Sequence, residues 1–179
     1  ESLKANKILG IKERVNLEMA DSKVFNNWEN QIKIAKVVRQ FRPQFVMVPY
    51  WECRHPDHYR ASDLAYEGVF LAGLKKHEDG EEAFRPDRVI YYMLHAEFDP
   101  TFIVDITNQF DAKKEALMAY ASQFGESTKS NETTYISGQP FLELIETRNR
   151  YYGSQIGKKF GEAFLIKEKL ELQDPLEFL

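Results

Sequence analysis

The chain predicts an α/β fold, a Rossmann-like three-layer sandwich around a mostly parallel sheet, and three observations lead there. A helix-patterned segment stopped by Pro43 runs after a short turn into the unbroken apolar run Phe45-Val46-Met47-Val48. Helix, short turn and continuous apolar strand together mark a parallel strand covered on both faces. That strand empties into Pro49-Tyr50-Trp51-Glu52-Cys53-Arg54-His55-Pro56-Asp57-His58, which places reactive side chains at the carboxyl end of a sheet, where open α/β folds bind ligands. The 179 residues also suit a single domain, which would bury roughly 70% of the surface its unfolded chain exposes.

Taken in order, Glu1 to Gly10 reads as the second half of an amphipathic helix closing on a C-terminal glycine. With no methionine at position 1, the expectation is that earlier elements precede it. Arg14-Val15-Asn16-Leu17-Glu18-Met19 alternates apolar and polar residues as a half-buried strand would. Asn26, with Glu29 three residues on, has the spacing of a capping box, and the helix it opens carries Trp28, Ile32, Ala35, Val38 and Phe41 as a core-facing stripe until Pro43. A second helix is expected from Tyr59 to about Lys76, followed by a charged surface loop from His77 to Arg88. Val89 to Leu94 and Phe102 to Ile106 have the β-branched and aromatic character of strands. Asn108 to Phe124 and Phe141 to Tyr152 read as helices, the latter ending at Gly153. Between them Gly125 to Thr134 is a loop rich in Ser, Thr, Asn and Glu, and the tail from Gly161 through Ile166 is extended.

Bulk properties narrow the function classes. Hydrophobic residues make up 43% and charged residues 29%, and the net charge of −4 is spread along the chain, which argues against a nucleic-acid partner. No apolar run approaches the ~18 residues of a membrane helix. Cys53 is the only cysteine, so an intrachain disulfide is excluded and a reducing, cytoplasmic setting is expected.

The loop after the first strand concentrates the chemistry. Proline is favoured at the first helical position, so Pro56 there makes His55 the N-cap and puts His58 on the first turn. Both imidazoles then lie at the positive end of a helix dipole, which favours an anion or a metal-bound hydroxide nearby. Asp57, between them, is placed to orient one imidazole through its second ring N–H. Spacing alone also fits two ordinary surface histidines, and a catalytic zinc takes three protein ligands where this loop offers two. Arg54 carries a planar fork of donors suited to a carboxylate or a sugar hydroxyl, with a surface ion pair as the bland alternative. Cys53 has no evident activating base and reads as small buried filler; His95 reads as a cap on its strand, and His77 as solvated.

Several motifs, in this order, carry a resemblance. They are Pro49-Tyr50-Trp51-Glu52 with Arg54-His55-Pro56-Asp57-His58, Arg85-Pro86 before Tyr91-Tyr92-Met93, Phe102-Ile103-Val104-Asp105-Ile106, Lys113-Lys114, Tyr120-Ala121-Ser122-Gln123-Phe124 and Glu146-Thr147-Arg148. From about Arg14 to Phe164 the chain resembles the zinc-dependent N-acetylglucosaminyl deacetylases (the LmbE-like or GlcNAc-phosphatidylinositol de-N-acetylase family), most of all the branch that serves bacillithiol biosynthesis. The resemblance implies Zn2+ as cofactor, His58 as a metal ligand, His55 as the catalytic imidazole and Asp57 as its orienting carboxylate. It raises Arg85 and Tyr135 as substrate contacts. It further implies hydrolysis of the N-acetyl group of an N-acetylglucosamine conjugate, GlcNAc-malate foremost, and a homo-oligomer, trimer or hexamer. Another GlcNAc substrate such as a chito-oligosaccharide, or a truncated non-catalytic sugar-binding relative, is the alternative. The family draws two further zinc ligands and its general base from a His-Pro-Asp-Asp motif, which these residues lack. The expectation is therefore one deacetylase domain spanning 1–179 without its N-terminal strand-helix-strand portion.

Overall fold

A computed structural model describes residues 1–75, 82–124, 139–174 and 176. Its elements are α1 (Ser2–Leu9), α2 (Trp28–Phe41), β1 (Phe45–Pro49), α3 (Pro56–Ala72), β2 (Arg88–Tyr92), β3 (Phe102–Asp105), α4 (Phe110–Met118), α5 (Ala121–Phe124), α6 (Gln139–Gln155) and β4 (Gly161–Leu165). The strands follow the order β1-β2-β4-β3. Helices combine with a four-stranded sheet, in keeping with the α/β class predicted. The sheet is mixed, because β1 and β2 run parallel while β2 and β4 run antiparallel. None of the described helices is long and apolar enough to cross a membrane.

The chain divides into two compact units. In the first, formed by 1–16 and 102–163, α1 ends at Gly10 in the left-handed conformation (φ 66), as a C-terminal glycine should. Ala5 packs with Ala116 and Ala119, and Phe110 stacks on Phe160 with ring centroids 3.7 Å apart. The single helix expected over 108–124 is two helices, α4 and α5, with Ala119 closing the first. α6 continues past Gly153, the expected stop. A Cβ at Gly153 would lie 2.8 Å from the Phe160 backbone, so this glycine serves a close helix–strand approach and not a helix end.

The second unit, 17–101 and 164–179, holds the loop of interest. Ala35, Val38, Val48, Val69, Leu71, Ala72, Val89 and Tyr91 form its core, uniting α2 and α3 with β1 and β2. The buried Arg39 donates to the carbonyls of Ala72 (3.0 Å) and Leu74 (2.9 Å), filling the acceptors that the end of α3 leaves open. α2 starts one residue later than its capping pattern suggests. Asn27 is the N-cap, its side chain accepting from the Asn30 N–H, while Asn26 turns to Glu67 and Gln31. Trp28 and Phe41, expected in the core stripe, are exposed, at 59% and 41%.

The strand expected at 14–19 does not form. Residues 11–20 carry no regular structure and are largely exposed, and Glu18 at φ 55 interrupts the extended run, which a strand does not allow. Alternation supplies the pattern of a strand, but a strand exists only where a neighbour takes its hydrogen bonds.

α2 and α3 meet at Gly68. A Cβ there would fall 2.5 Å from the Ile34 Cβ and 3.2 Å from the Gln31 carbonyl oxygen, and no rotamer change moves either atom. Gly68→Ala is therefore expected to lower stability by roughly 1–3 kcal/mol, despite alanine's intrinsic helix preference of about 1 kcal/mol. A urea melt with an unchanged or higher midpoint would refute this close approach.

Candidate metal centre

The parallel register of β1 and β2 builds the site. Pro49 pairs with Tyr92, and the Tyr50 N–H donates to the Tyr92 carbonyl at 2.9 Å, so both chains leave the sheet at the same carboxyl end. The loop after β1 carries Cys53 and His55; the loop after β2 carries His95. Aromatic packing pins the first loop: Tyr50 lies 4.4 Å from Trp51 and 4.9 Å from Phe98, and Trp51 meets Tyr91 edge-on at 4.9 Å. The Lys167 ammonium covers Trp51 at 4.2 Å and Tyr91 at 4.8 Å, a cation–π contact that further holds the loop against the sheet.

α3 begins as its sequence predicts, with His55 as N-cap and Pro56 in the first turn. The His55 Nδ1 accepts the Asp57 N–H at 3.2 Å. An accepting Nδ1 puts the proton of the neutral ring on Nε2, which leaves that nitrogen as a donor. The His55 and His58 rings stack at 4.9 Å, and His58 and His95 at 5.8 Å.

The Cys53 Sγ lies 3.2 Å from the His58 Nδ1 and 3.3 Å from the His95 Nδ1. One ligand atom from each of Cys53, His58 and His95 falls within 4.8 Å of the others, and all three residues are half-buried. This donor set fits a divalent metal. With Zn–S near 2.3 Å and Zn–N near 2.0–2.1 Å, tetrahedral ligand atoms lie about 3.4–3.6 Å apart, a few tenths of an ångström from the two sulfur–nitrogen distances. Burial, followed by the charge of His55, lowers the pKa of His58, while Asp57 opposes them. A metal ligand must be neutral imidazole, and both dominant effects favour that form.

Asp57 does other work than the sequence suggests. Its buried carboxylate accepts the Ser22 N–H at 2.6 Å and the Val24 N–H at 3.3 Å, so the contacts it shows tie down the segment before α2 where an imidazole partner was expected. Arg54 is exposed on the loop between Cys53 and His55. Arg85 is not brought to the site. It precedes β2, beside Gly73 and over the Phe70 ring at 5.3 Å, at the far end of α3 from His58. Fifteen helical residues separate those two levels by about 22 Å, because α3 runs back along the sheet. Arg85 and His58 thus stand at opposite ends of α3. Tyr135 and His77 lie outside the described residues.

Sequence reasoning missed Cys53 and His95 as partners of His58. The available signal was topological: loops that follow two adjacent parallel strands open at the same edge.

Fold and site together define a mixed α/β protein whose strand-end loops form a candidate metal centre. Comparison with known proteins narrows the class. The family described as PIG-L: GlcNAc-PI de-N-acetylase matches residues 1–69. The diacetylchitobiose deacetylase of Thermococcus kodakarensis is 29% identical over 171 residues, covering 91% of this chain and 60% of that protein. Among solved structures, a conserved protein from Thermus thermophilus superposes with a TM-score of 0.83 at 32% identity, covering 95% of this chain and 72% of that one. The N,N'-diacetylchitobiose deacetylase from Pyrococcus horikoshii, complexed with its inhibitor, superposes at 0.76 with 26% identity, covering 90% and 60%. The chain is thus similar to the PIG-L family over residues 1–69 and to two diacetylchitobiose deacetylases over most of its length. The chain spans 60% of the length of the curated relative it matches.

Two outcomes follow from this geometry. In the metal-free protein the folded-state pKa of His58 is lower than its unfolded value of about 6.5, so below that pH the unfolded chain binds the proton more readily and stability falls as pH falls. Urea midpoints taken between about pH 7.5 and 5.5 should show this decline, and His58→Gln should flatten it; an unaltered slope in the variant would locate the effect elsewhere. Asp57→Ala leaves two backbone N–H groups without their acceptor and should cost roughly 1–3 kcal/mol, with faster amide exchange at Ser22 and Val24. Unchanged exchange there would show that Asp57 does not hold this segment.

Proposed function

We propose that the protein is a metal-dependent deacetylase that hydrolyses the N-acetyl group of an N-acetylglucosamine-type sugar. The observation that carries this reading is the start of α3, where His58 stands among metal-compatible donors and His55 stands beside it with its Nε2 left as a donor, in a chain similar to diacetylchitobiose deacetylases. Zinc is the metal that the family resemblance implies and that this donor set suits. When bound, it would acidify a water molecule and polarise the acetyl carbonyl.

The chain's own residues supply the remainder within reach. His55, its Nδ1 engaged by the Asp57 amide, offers its Nε2–H as a hydrogen-bond donor to the oxygen on which charge develops. A positioned donor of this kind is worth roughly 10²–10³ in rate. Asp57 acts as a positioning residue, its amide holding His55 and its carboxylate holding the segment at Ser22 and Val24. Arg54, exposed on the same loop, is the candidate contact for a sugar hydroxyl or a carboxylate, and Tyr135 is a second by resemblance alone. The acetyl C–N bond breaks, the water oxygen passes to acetate, and of the two water protons one ends on the departing amine and the other is released to solvent.

Two of the relatives named above are diacetylchitobiose deacetylases, which favours a chito-oligosaccharide substrate over GlcNAc-malate. The motif order that resembles the bacillithiol branch keeps GlcNAc-malate as the second reading. A homo-oligomer and a cytoplasmic setting belong to the same proposal.

The test measures acetate released by the full-length protein from diacetylchitobiose and from GlcNAc-malate. Activity on diacetylchitobiose should be lost with a chelator, restored by Zn2+ and abolished in His58→Ala. His55→Asn, which preserves an N-cap acceptor but not the Nε2–H donor, should keep the fold and lose roughly 10²–10³ in kcat. Faster turnover of GlcNAc-malate would transfer the assignment to the second reading, and no release from either would sink the deacetylase proposal.

A further inference from the structure

We propose that Lys167 is a positioning residue for the histidines at the sheet edge, clamping through three aromatic rings the segments that deliver them, a role that rests on the deacetylase reading above. Its ammonium lies 4.2 Å from the ring centroid of Trp51, 4.9 Å from that of Tyr66 and 4.8 Å from that of Tyr91. Each ring belongs to a different element. Trp51 is on the loop after β1, four residues before His55; Tyr66 is on α3, eight residues after His58; Tyr91 is on β2, four residues before His95. One cation thus bridges the loop, the helix and the strand that converge on the site.

Lys167 is itself held in place. It follows β4, which the pairing of Tyr91 with Leu165 sets against β2, and the residue before it is fastened to Thr101. The Ile166 N–H donates to the Thr101 hydroxyl at 3.0 Å, and that hydroxyl donates to the Ile166 carbonyl at 3.3 Å. The competing account is a surface lysine resting on the nearest ring, which gains one face at a time. Here three faces surround one nitrogen, the arrangement that holds a cation. Trp51 also packs on Tyr50 at 4.4 Å and Tyr91 at 4.9 Å, so a pull on its ring reaches the backbone that runs into His55. Catalytic groups displaced by about 1 Å lose roughly 10²-fold in rate. With the ammonium engaged by the rings and not by substrate, a loosened clamp lowers kcat and spares KM.

The test compares the full-length protein with Lys167→Met, which keeps the apolar stem, and Lys167→Arg, which keeps the charge. In the unaltered protein, ring currents should move the Lys167 ε-methylene protons further upfield than those of Lys114 and Lys159, which lie over the single rings of Phe110 and Phe160. In Lys167→Met the ring resonances of His55, His58 and His95 should shift, and acrylamide should quench Trp51 at least about twofold more readily, read in a Trp28→Phe background. Acetate release from diacetylchitobiose should fall about tenfold in kcat with KM within about twofold. Lys167→Arg should return the histidine resonances toward their unaltered positions and recover kcat to within about twofold. Lysine ε-methylene protons at ordinary positions, a lower urea midpoint in Lys167→Met with histidine resonances and kcat unchanged, or a Lys167→Arg variant no better than Lys167→Met would overturn the proposal. Absence of acetate release from the unaltered protein would count against the deacetylase reading, while the ring-current and histidine readouts still decide whether the clamp exists.

Discussion

The parallel pairing of β1 with β2 is the constraint on which the rest of the site depends. Because Val48 and Pro49 lie opposite Tyr91 and Tyr92, both strands end at one level and their following loops share one edge of the sheet. A one-residue slip would turn every side chain to the opposite face, exposing the buried Val48 and Tyr91 and separating the loops. The register is therefore secured by the core, and the positions of Cys53 and His95 are a consequence of core packing.

On this edge the start of α3 contributes a second layer of order. Pro56 removes a donor that the helix could not have used, and His55 takes the neighbouring Asp57 N–H onto its ring. A side chain that caps a helix has lost the freedom to wander, so the same contact stabilises the helix and fixes a tautomer. Asp57 adds a long-range tie, since its carboxylate reaches back to Ser22 and Val24. The cap uses the N–H of Asp57 and the tie its carboxylate, which lets a short motif position itself and the segment before α2 together.

Long-range order also explains the errors of a one-dimensional reading. Arg85 looks close to the site because Arg-Pro precedes a strand in a familiar order of motifs, yet α3 carries the chain the length of the sheet and delivers Arg85 beside Gly73. Trp28 and Phe41 satisfy the helical spacing of a core stripe and are nonetheless exposed, because periodicity reports which residues share a face and not how far the neighbouring elements extend over it. Residues 14–19 alternate correctly but have Glu18 in the left-handed region. Cys53 and His95, forty-two positions apart, carry no local pattern that relates them.

The sequence by itself determined the local structure: the α/β class, the strand at 45–49, the glycine-closed first helix, and the histidine-capped, proline-started helix that bears His55 and His58. Those features follow from propensities, caps and periodicities acting over a few residues. Only the tertiary structure decided that β4 joins the sheet antiparallel, that Asp57 serves backbone amides, that Arg85 lies at the opposite end of α3, and that Cys53 and His95 converge on His58. Each of these is a contact between segments distant in the chain, set by strand register and helix length, and neither quantity is written in the neighbourhood of the residues it brings together.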